Sequence, residues 1–452
     1  MQEMVVGMVN LALVNPYTPL QALQDAFCLI KLGGVLSVVD CNDVKDALSG
    51  KLMGELMFYK KMDGEVLMKR FLEKLQSQCD VKKTIADFWV DPKTHMYTAI
   101  AFSPLAKPAT TLNYWVGSST EPAPGDWSVL RVHLLKVICS ADQKLYDYLI
   151  HFLAHMLQRP EEKSGVMLIL LGKQGTGKGI FFQIIQKIWS RTSLLVSDIN
   201  QVVGQFNAAL ERHFVVIMDE AMFSGDRKSQ DRMKSLITEN TCHIEQKYQP
   251  SRTIESFHRF FASSNHDHFS HIEGDDRRSL FIRVSDIHQG DHDYFSQVGV
   301  ALSDDRVIAG MVHYLMHIDL TGFNVRVRPI TQENWQQKLL SLQGFDRYWF
   351  EVLMTETFEQ NLYASTSWRD GHFIGTHEIL QGFQTFNKRS QRFTPTVSKE
   401  IVDAVSRLCP SAQKDRQKIG AEQKRGYILP TLQTARSEFE LAFKCKVEWD
   451  QA

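Results

Sequence analysis

No stretch of this 452-residue chain approaches the roughly 18–20 consecutive apolar residues that a bilayer crossing needs. Its densest apolar runs, Val166–Leu171 and Phe214–Met218, have the length of buried strands. The start, MQEMVVGMVN, lacks a basic segment followed by an apolar one, so no secretory signal is expected. The seven cysteines (28, 41, 79, 139, 242, 409 and 445) form no CxxC pair, which leaves no zinc ribbon and no redox motif. An odd, dispersed set fits reduced thiols and a cytoplasmic location. Neither sign of charge is in excess. Lys plus Arg is 51, Asp plus Glu is 52, and the net charge is −1. That argues against a wholly basic nucleic-acid coat, but not against a local basic patch. There is no internal repeat and no low-complexity tract. With 44% hydrophobic and 23% charged residues, the composition is that of an ordinary globular protein. It excludes a disordered tail, a collagen-like fibre and a disulfide scaffold.

The length suits about three domains. Residues 1–125 read as mixed α and β of unclear role. Leu20–Lys31 and Lys51–Gln76 have helical spacing, and Asp87–Leu112 reads as strands and turns. The segment 117–126 (GSSTEPAPGD) is a first boundary. Residues 126–164 read as a helical layer, with Leu145, Leu149, Phe152, Leu153 and Met156 at helical spacing. Residues 165–330 alternate apolar strands with helical stretches, the pattern of an α/β sheet with crossover connections. Residues 331–452 read as a small α+β or winged-helix module. Its helical candidates are Ser341–Gln360, Thr376–Phe386, Thr396–Leu408 and Leu432–Phe443.

The strongest local signal is VMLILLGKQGTGKGIFFQIIQKIW. A strand runs into Gly172, Lys173, Gln174, Gly175, Thr176, Gly177, Lys178 and Gly179, and Ile180–Trp189 then has helical character. Strand, GxxxxGK loop and helix stand in the order of a phosphate-binding loop. Glycines let backbone N–H groups turn inward as a nest, and the helix N-terminus adds its dipole. Lys178 supplies a point charge for the β- and γ-phosphates. One position departs from the pattern. The residue after the lysine is usually Ser or Thr, whose hydroxyl helps hold Mg²⁺, and here it is Gly179. Thr176 is a candidate substitute.

A second strand, HFVVIMDE, ends in Asp219 and Glu220, suited to holding Mg²⁺ and to polarising an attacking water respectively. Acids at strand ends are usually just solvated, but these follow Lys178 by about 40 residues. A third strand, RFFASSN, ends in Asn265, whose amide could sense a γ-phosphate; Asn is also a common turn residue. Next come Arg277 and Arg278 in EGDDRRS. Such arginines are commonly surface ion pairs, or in a ring of ATPases one can reach a neighbour's nucleotide.

These four elements together resemble the superfamily 3 helicases of viruses and mobile elements, especially the helicase portion of phage and plasmid primase-helicases. GKQGTGKG is similar to their Walker A, FVVIMDE to Walker B, FFASSN to motif C and DDRR to the arginine-finger region. The resemblance implies an AAA+-like P-loop core in 165–330 and a helical collar in 126–164. It also implies hexameric assembly and ATP- and Mg²⁺-dependent translocation on single-stranded or forked DNA in replication. Lys178, Asp219, Glu220, Asn265 and Arg277 or Arg278 would be the working residues. In that family a DNA-binding hairpin lies between Walker B and motif C; here HIEQKYQPSRTI fits, with Lys247, Tyr248 and Arg252 as contacts. The collar's apolar face could serve oligomerisation or, more commonly, the chain's own core. The primase-polymerase acids of the family are not visible in 1–125; either that primase or polymerase module is absent, or it lies on another chain or in a part of the protein beyond this sequence. Gly179 also suits an alternative: a non-processive DNA-binding AAA+ ATPase acting as initiator or nucleotide switch.

Two features stand apart. From Lys388 to Arg425, ten Lys and Arg face four acids, a local +6 in a neutral chain. This reads equally as a duplex- or fork-binding module or as a solvated basic face. His266, His268 and His271 in NHDHFSH are a poor metal set, since tetrahedral zinc wants a more complete one.

Overall fold

The computed structural model describes residues 18–49, 57–76, 78–220, 227–245, 251–265, 276–361, 364–389, 398–420 and 422–449. At its centre is a parallel sheet of β1 (Met167–Leu171), β2 (Ser193–Val196), β3 (Val215–Met218), β4 (Arg259–Ser264) and β5 (Ser279–Arg283). The spatial order is β5-β1-β4-β3-β2, with Leu168 of β1 level with Phe261 of β4 and Leu280 of β5. Strands covered on both faces need apolar residues at every position. MLILL and VVIM meet that need and are wholly buried. Side chains alternate between the two faces. Leu168, Leu170, Ile217 and Phe261 join one hydrophobic cluster, while Ile169, Leu171, Met218 and Phe260 join the other.

Four helices cover the first face: α1 (Gln143–Gln158), α2 (Lys178–Ile188), α3 (His292–Ser303) and α4 (Asp305–Met316). Asp142 caps α1 by accepting from the N–H of Leu145. The stripe Leu145, Leu149, Phe152, Leu153 and Met156 is buried in the same cluster as β1 and β4. Of the two uses open to that apolar face, it serves the chain's own core. Before α1, the short helix Ser128–Val132 widens into a π-helical turn, His133–Ile138; such turns are rare and often mark functional positions. The second face carries the helix Arg227–Thr238 and the antiparallel hairpin Thr241–Ile244/Arg252–Glu255. The Ser/Pro/Gly segment predicted as a boundary lies against these layers. The N–H of Ser119 donates to the Ile188 carbonyl at 2.7 Å and that of Ala123 to the Ala309 carbonyl at 3.3 Å.

The N-terminal part differs from expectation in two places. The helix predicted over Leu20–Lys31 ends at Ala26 and gives way to the strand Phe27–Leu32, paired antiparallel with Val35–Asp40. The stretch up to Val90, read partly as strand, is the helix Val81–Val90, capped by Asp80. Residues 51–56 lie outside the described residues, and the helix expected there runs over Lys61–Lys74.

The C-terminal part has its own core, including Trp349, Phe358, Ile374, Phe383, Ile401, Val405 and Phe439. In order come the helix Gly344–Thr355, the hairpin Thr357–Asn361/Ala364–Ser367, the strand Phe373–Gly375 and the helices Thr376–Arg389 and Ser398–Leu408. The hairpin Gln413–Ile419/Glu422–Ile428 and the helix Leu432–Phe443 complete it. Phe373–Gly375 adds to this second hairpin as a third antiparallel strand. The connecting helix Gln332–Leu340 docks on β5. Thr331 Oγ1 donates to the Phe281 carbonyl and Asn334 Nδ2 to the Ser279 carbonyl, both at 2.7 Å. No helix among the described residues is long and apolar enough to cross a membrane.

Candidate active site

The carboxyl ends of β1, β3 and β4 bring together the loop lysine, the two acids and the asparagine. β1 ends at Leu171, and the loop 172–177 turns back into α2, whose first residue is Lys178. Gly177 occupies the N-cap with φ 99° and no side-chain cap. A Cβ there would stand 2.8 Å from Cε1 of His133, so both backbone and space demand glycine. Gly175 also has positive φ (77°), with open space around its Cα, and Gly179 is open too.

Lys178 is buried and satisfied. Its ammonium donates to the carbonyls of Gly172 (2.5 Å) and Lys173 (2.8 Å) and to Oδ1 of Asn265 (2.9 Å). An ammonium has three protons, so these acceptors fill it. Burial pulls Lys178 below its ordinary pKa; Asp219 and Glu220 pull it back up, and Arg283 adds to the lowering. Nδ2 of Asn265 donates to Oε1 of Glu220 at 2.7 Å. Lysine, asparagine and glutamate therefore form one chain of hydrogen bonds.

Asp219 follows β3, its N–H donating to the Val196 carbonyl at 3.2 Å. Its carboxylate accepts from the Ser263 hydroxyl, and that hydroxyl also accepts the N–H of Glu220 at 3.3 Å. Glu220 has φ 55°, a left-handed conformation uncommon outside glycine. Such outliers cluster at working sites. Asp219 and Glu220 are exposed at the sheet edge, as is Asn265.

Thr176 does not stand in for the missing hydroxyl. It is 1% exposed, and its Oγ1 donates to the Lys173 carbonyl at 2.9 Å. The side chain of Lys173 pairs with Asp286 at 3.0 Å, and the carbonyl of Gln174 accepts from Gln289 at 2.9 Å. The rest of the loop is thus braced against the segment after β5.

Arg277 and Arg278 lie at the other edge of the sheet. Arg278 precedes β5, and its carbonyl accepts the N–H of Met167, the first residue of β1. The five residues of β5 separate them from the loop, about 16 Å at strand rise. Arg277 is exposed, whereas Nε of Arg278 is buried without a partner among the described residues. Arg252, expected on a DNA-binding hairpin, is held by Glu211. Its Nε donates to Oε1 at 2.7 Å and Nη2 binds Oε2, which raises its pKa further. Arg252 is therefore already engaged rather than presented as a bare cation. Lys247 and Tyr248 fall outside the described residues, as do His266, His268 and His271. Among the described residues no three His, Cys, Asp or Glu gather as a metal cluster.

Sequence reasoning passed over three residues here. Arg283 ends β5 level with Leu171 and grips Glu333 with two bonds, 2.9 and 2.7 Å. Its signal was present, an arginine closing the apolar run SLFIR at the same sheet edge. Ser263 was hidden inside FFASSN. His133 is fully buried behind Gly177, with Nδ1 3.0 Å from the Tyr294 hydroxyl, and burial lowers its pKa to about 4. No local pattern marks it.

Residues 170–278 match a protein family described as a family of unknown function, DUF5906. The chain is 32% identical over 160 residues to a DNA primase-polymerase of Nitratiruptor phage NrS-1. That stretch is 34% of this chain and spans only 22% of the relative's length. Two solved structures of the NrS-1 C-terminal region share the fold. One, of residues 305–718, matches with TM-score 0.62, and an A-form apo structure matches with 0.63. Both are 16% identical and cover 92% of this chain and all of the solved chain.

Proposed function

We propose that this chain is an ATP-driven motor of phage DNA replication, a helicase that moves along single-stranded DNA as a ring. The observation that carries the reading is the hydrogen-bonded chain Lys178–Asn265–Glu220 at the mouth of a glycine-lined loop. The sheet order 5-1-4-3-2 supports an AAA+-like core, and the similarity to a phage primase-polymerase supports the replication setting.

The cradle fits a triphosphate. Gly175 and Gly177 give the backbone the curvature that presents N–H groups to anions, and the dipole of α2 favours negative charge there. Lys178 has all three protons engaged, so phosphate oxygens would exchange with one of its acceptors. Asn265 is the side chain among the three and the easiest to release. Released from the lysine, it still holds Glu220, which ties phosphate arrival to placement of the base. Glu220 would take the proton of the attacking water and Asp219 is the carboxylate to hold magnesium. When bound, the ion would neutralise charge on the phosphates. With Gly179 lacking a hydroxyl and Thr176 turned inward, Asp219 carries that task without a hydroxyl from the loop. Arg277, exposed and about a strand's length from its own loop, suits a finger that acts on a neighbouring subunit's nucleotide. Apart from the inserted hairpin Thr357–Asn361/Ala364–Ser367, the helix, strand, helix, helix and hairpin order of 344–428 supports a winged-helix module behind the motor.

DNA-stimulated ATP hydrolysis tests the reading. It should be present in the wild-type chain and lost in Lys178→Ala; undiminished hydrolysis by the purified variant would overturn it. The missing loop hydroxyl favours one second reading, an initiator or switch that hydrolyses ATP without processive unwinding. Strand displacement on a forked substrate separates the two.

A further inference from the structure

Of the ten cations in residues 388–425, four fall, in the structure, on one side of one hairpin. Gln413–Ile419 and Glu422–Ile428 pair antiparallel, with Lys414 opposite Tyr427, Arg416 opposite Arg425 and Lys418 opposite Gln423. Directly opposed residues share a face, and every second residue along a strand returns to it. Lys414, Arg416, Lys418 and Arg425 therefore lie on one face, with Gln423 and Tyr427 and no acid. The acids Asp415 and Glu422 point to the other face, together with Lys424, which pairs with Glu378 at 3.9 Å. All four cations of the first face are exposed, and none makes an ion pair among the described residues. At its root the same face carries Tyr427, buried in the module's core, where burial and then Asp403 of the helix Ser398–Leu408 raise its pKa. The cationic face thus looks to the side on which that helix sits.

The helix itself is electrically balanced. Lys399 and Arg407 face Glu400 and Asp403, and Arg407 is held by Asp346. Lys414, Arg416 and Lys418 stand about 7 Å apart along their strand. A row of this kind meets a chain of phosphates better than one small anion. A two-stranded ribbon is also narrow enough for the major groove of a duplex.

We infer that the Lys414, Arg416, Lys418 and Arg425 face of this hairpin grips the phosphate backbone of duplex DNA, and that the balanced helix beside it does not drive binding. The inference rests on the replication reading only for the choice of DNA as the polyanion. Nucleotide plays no part in it.

The test is anisotropy of a labelled 20-base-pair duplex with the full chain, without nucleotide, across a potassium chloride series. The variant carries Lys414→Gln, Arg416→Gln and Lys418→Gln. The control carries Lys74→Gln, Lys82→Gln and Lys83→Gln, on helices of the N-terminal part. The hairpin variant should lose about tenfold or more in affinity at 0.1 M salt, and its log–log salt slope should shrink by roughly 2.7, or 0.9 per phosphate contact. The control should keep both, and all three proteins should melt alike. An unchanged hairpin variant, an equal loss in the control, or a loss confined to a single-stranded probe would overturn the inference. ATP hydrolysis without DNA is measured on the same samples. Its absence in the wild type would count against the motor reading and leave the duplex result standing.

Discussion

Lys178 and the hairpin of residues 413–428 both offer positive charge, in opposite surroundings. Lys178 is 8% exposed and fixed by two carbonyls and an amide beyond the end of the fully buried strand β1. The hairpin cations stand in solvent on a projecting ribbon. A buried, oriented charge acts on one ligand, is little screened, and fails completely when removed. A row of exposed charges acts on a polymer, is shared among members, and fades with salt. A chain whose chemistry is local and whose track is long needs both, and that pairing is what the proposed motor on DNA requires.

The largest effect expected from breaking this contrast is at Lys178. Lys178→Ala should cut ATP turnover by about 10²–10³-fold or more, from the scale set by losing one oriented donor to developing charge, and raising salt should neither mimic nor rescue the loss. Next in size is the arginine pair. Arg277→Ala should lower turnover by roughly 10³-fold in assembled protein, while Arg278→Ala should chiefly lower the melting temperature, because its side chain is half-buried with Nε out of solvent. Equal kinetic losses in steady-state assays of the two would remove the distinction drawn between them.

Acid sharpens the comparison between the two regions. Burial holds His133 and His155 at about 4 and His258 at about 3, against an ordinary value near 6.5. As pH falls through 6.5 the unfolded chain takes up protons that the folded core refuses. Stability is therefore fully present above 6.5 and is lost progressively down to about 4 for His133 and His155 and about 3 for His258. All three histidines belong to the sheet and its helices. Hydrogen exchange between pH 6.5 and 4 should show β1 and α1 losing protection before the 373–428 sheet; the reverse order would contradict this. The smallest effect is at Gly179, which has open space where a side chain would go. Gly179→Ser should fold normally and tighten magnesium-dependent nucleotide binding about three- to tenfold, the worth of one added hydrogen bond. Calorimetry with and without magnesium reads it.

How much the sequence discloses follows the range of the interaction. The loop, both acids, the asparagine and the strands beneath them are legible because strand runs, glycines and helix spacing are local. The helices Leu432–Phe443 and Ser398–Leu408 are legible for the same reason. Arg283 with Glu333, Arg252 with Glu211, and His133 behind Gly177 are partnerships between residues 41 to 50 apart, and no window on the sequence joins them. The strand Phe27–Leu32 is not legible because FCLIKL is a short apolar run that either element can host. The turn signal was nonetheless there. Gly33 and Gly34, both with positive φ, join the two strands of that hairpin. Asp80 likewise announced the helix that follows it. The +6 count near the C-terminus is visible, but that four of its cations share one face needs the register of the hairpin.

The central claim is that a triphosphate is taken by Lys178 and the loop before it. Isothermal titration of wild-type chain and Lys178→Ala with a non-hydrolysable ATP analogue and magnesium tests it most directly. The account expects one site per chain in the wild type and no measurable heat in a variant that melts at the same temperature. Equal binding by both, or no binding by the wild type at saturating ligand, would contradict it.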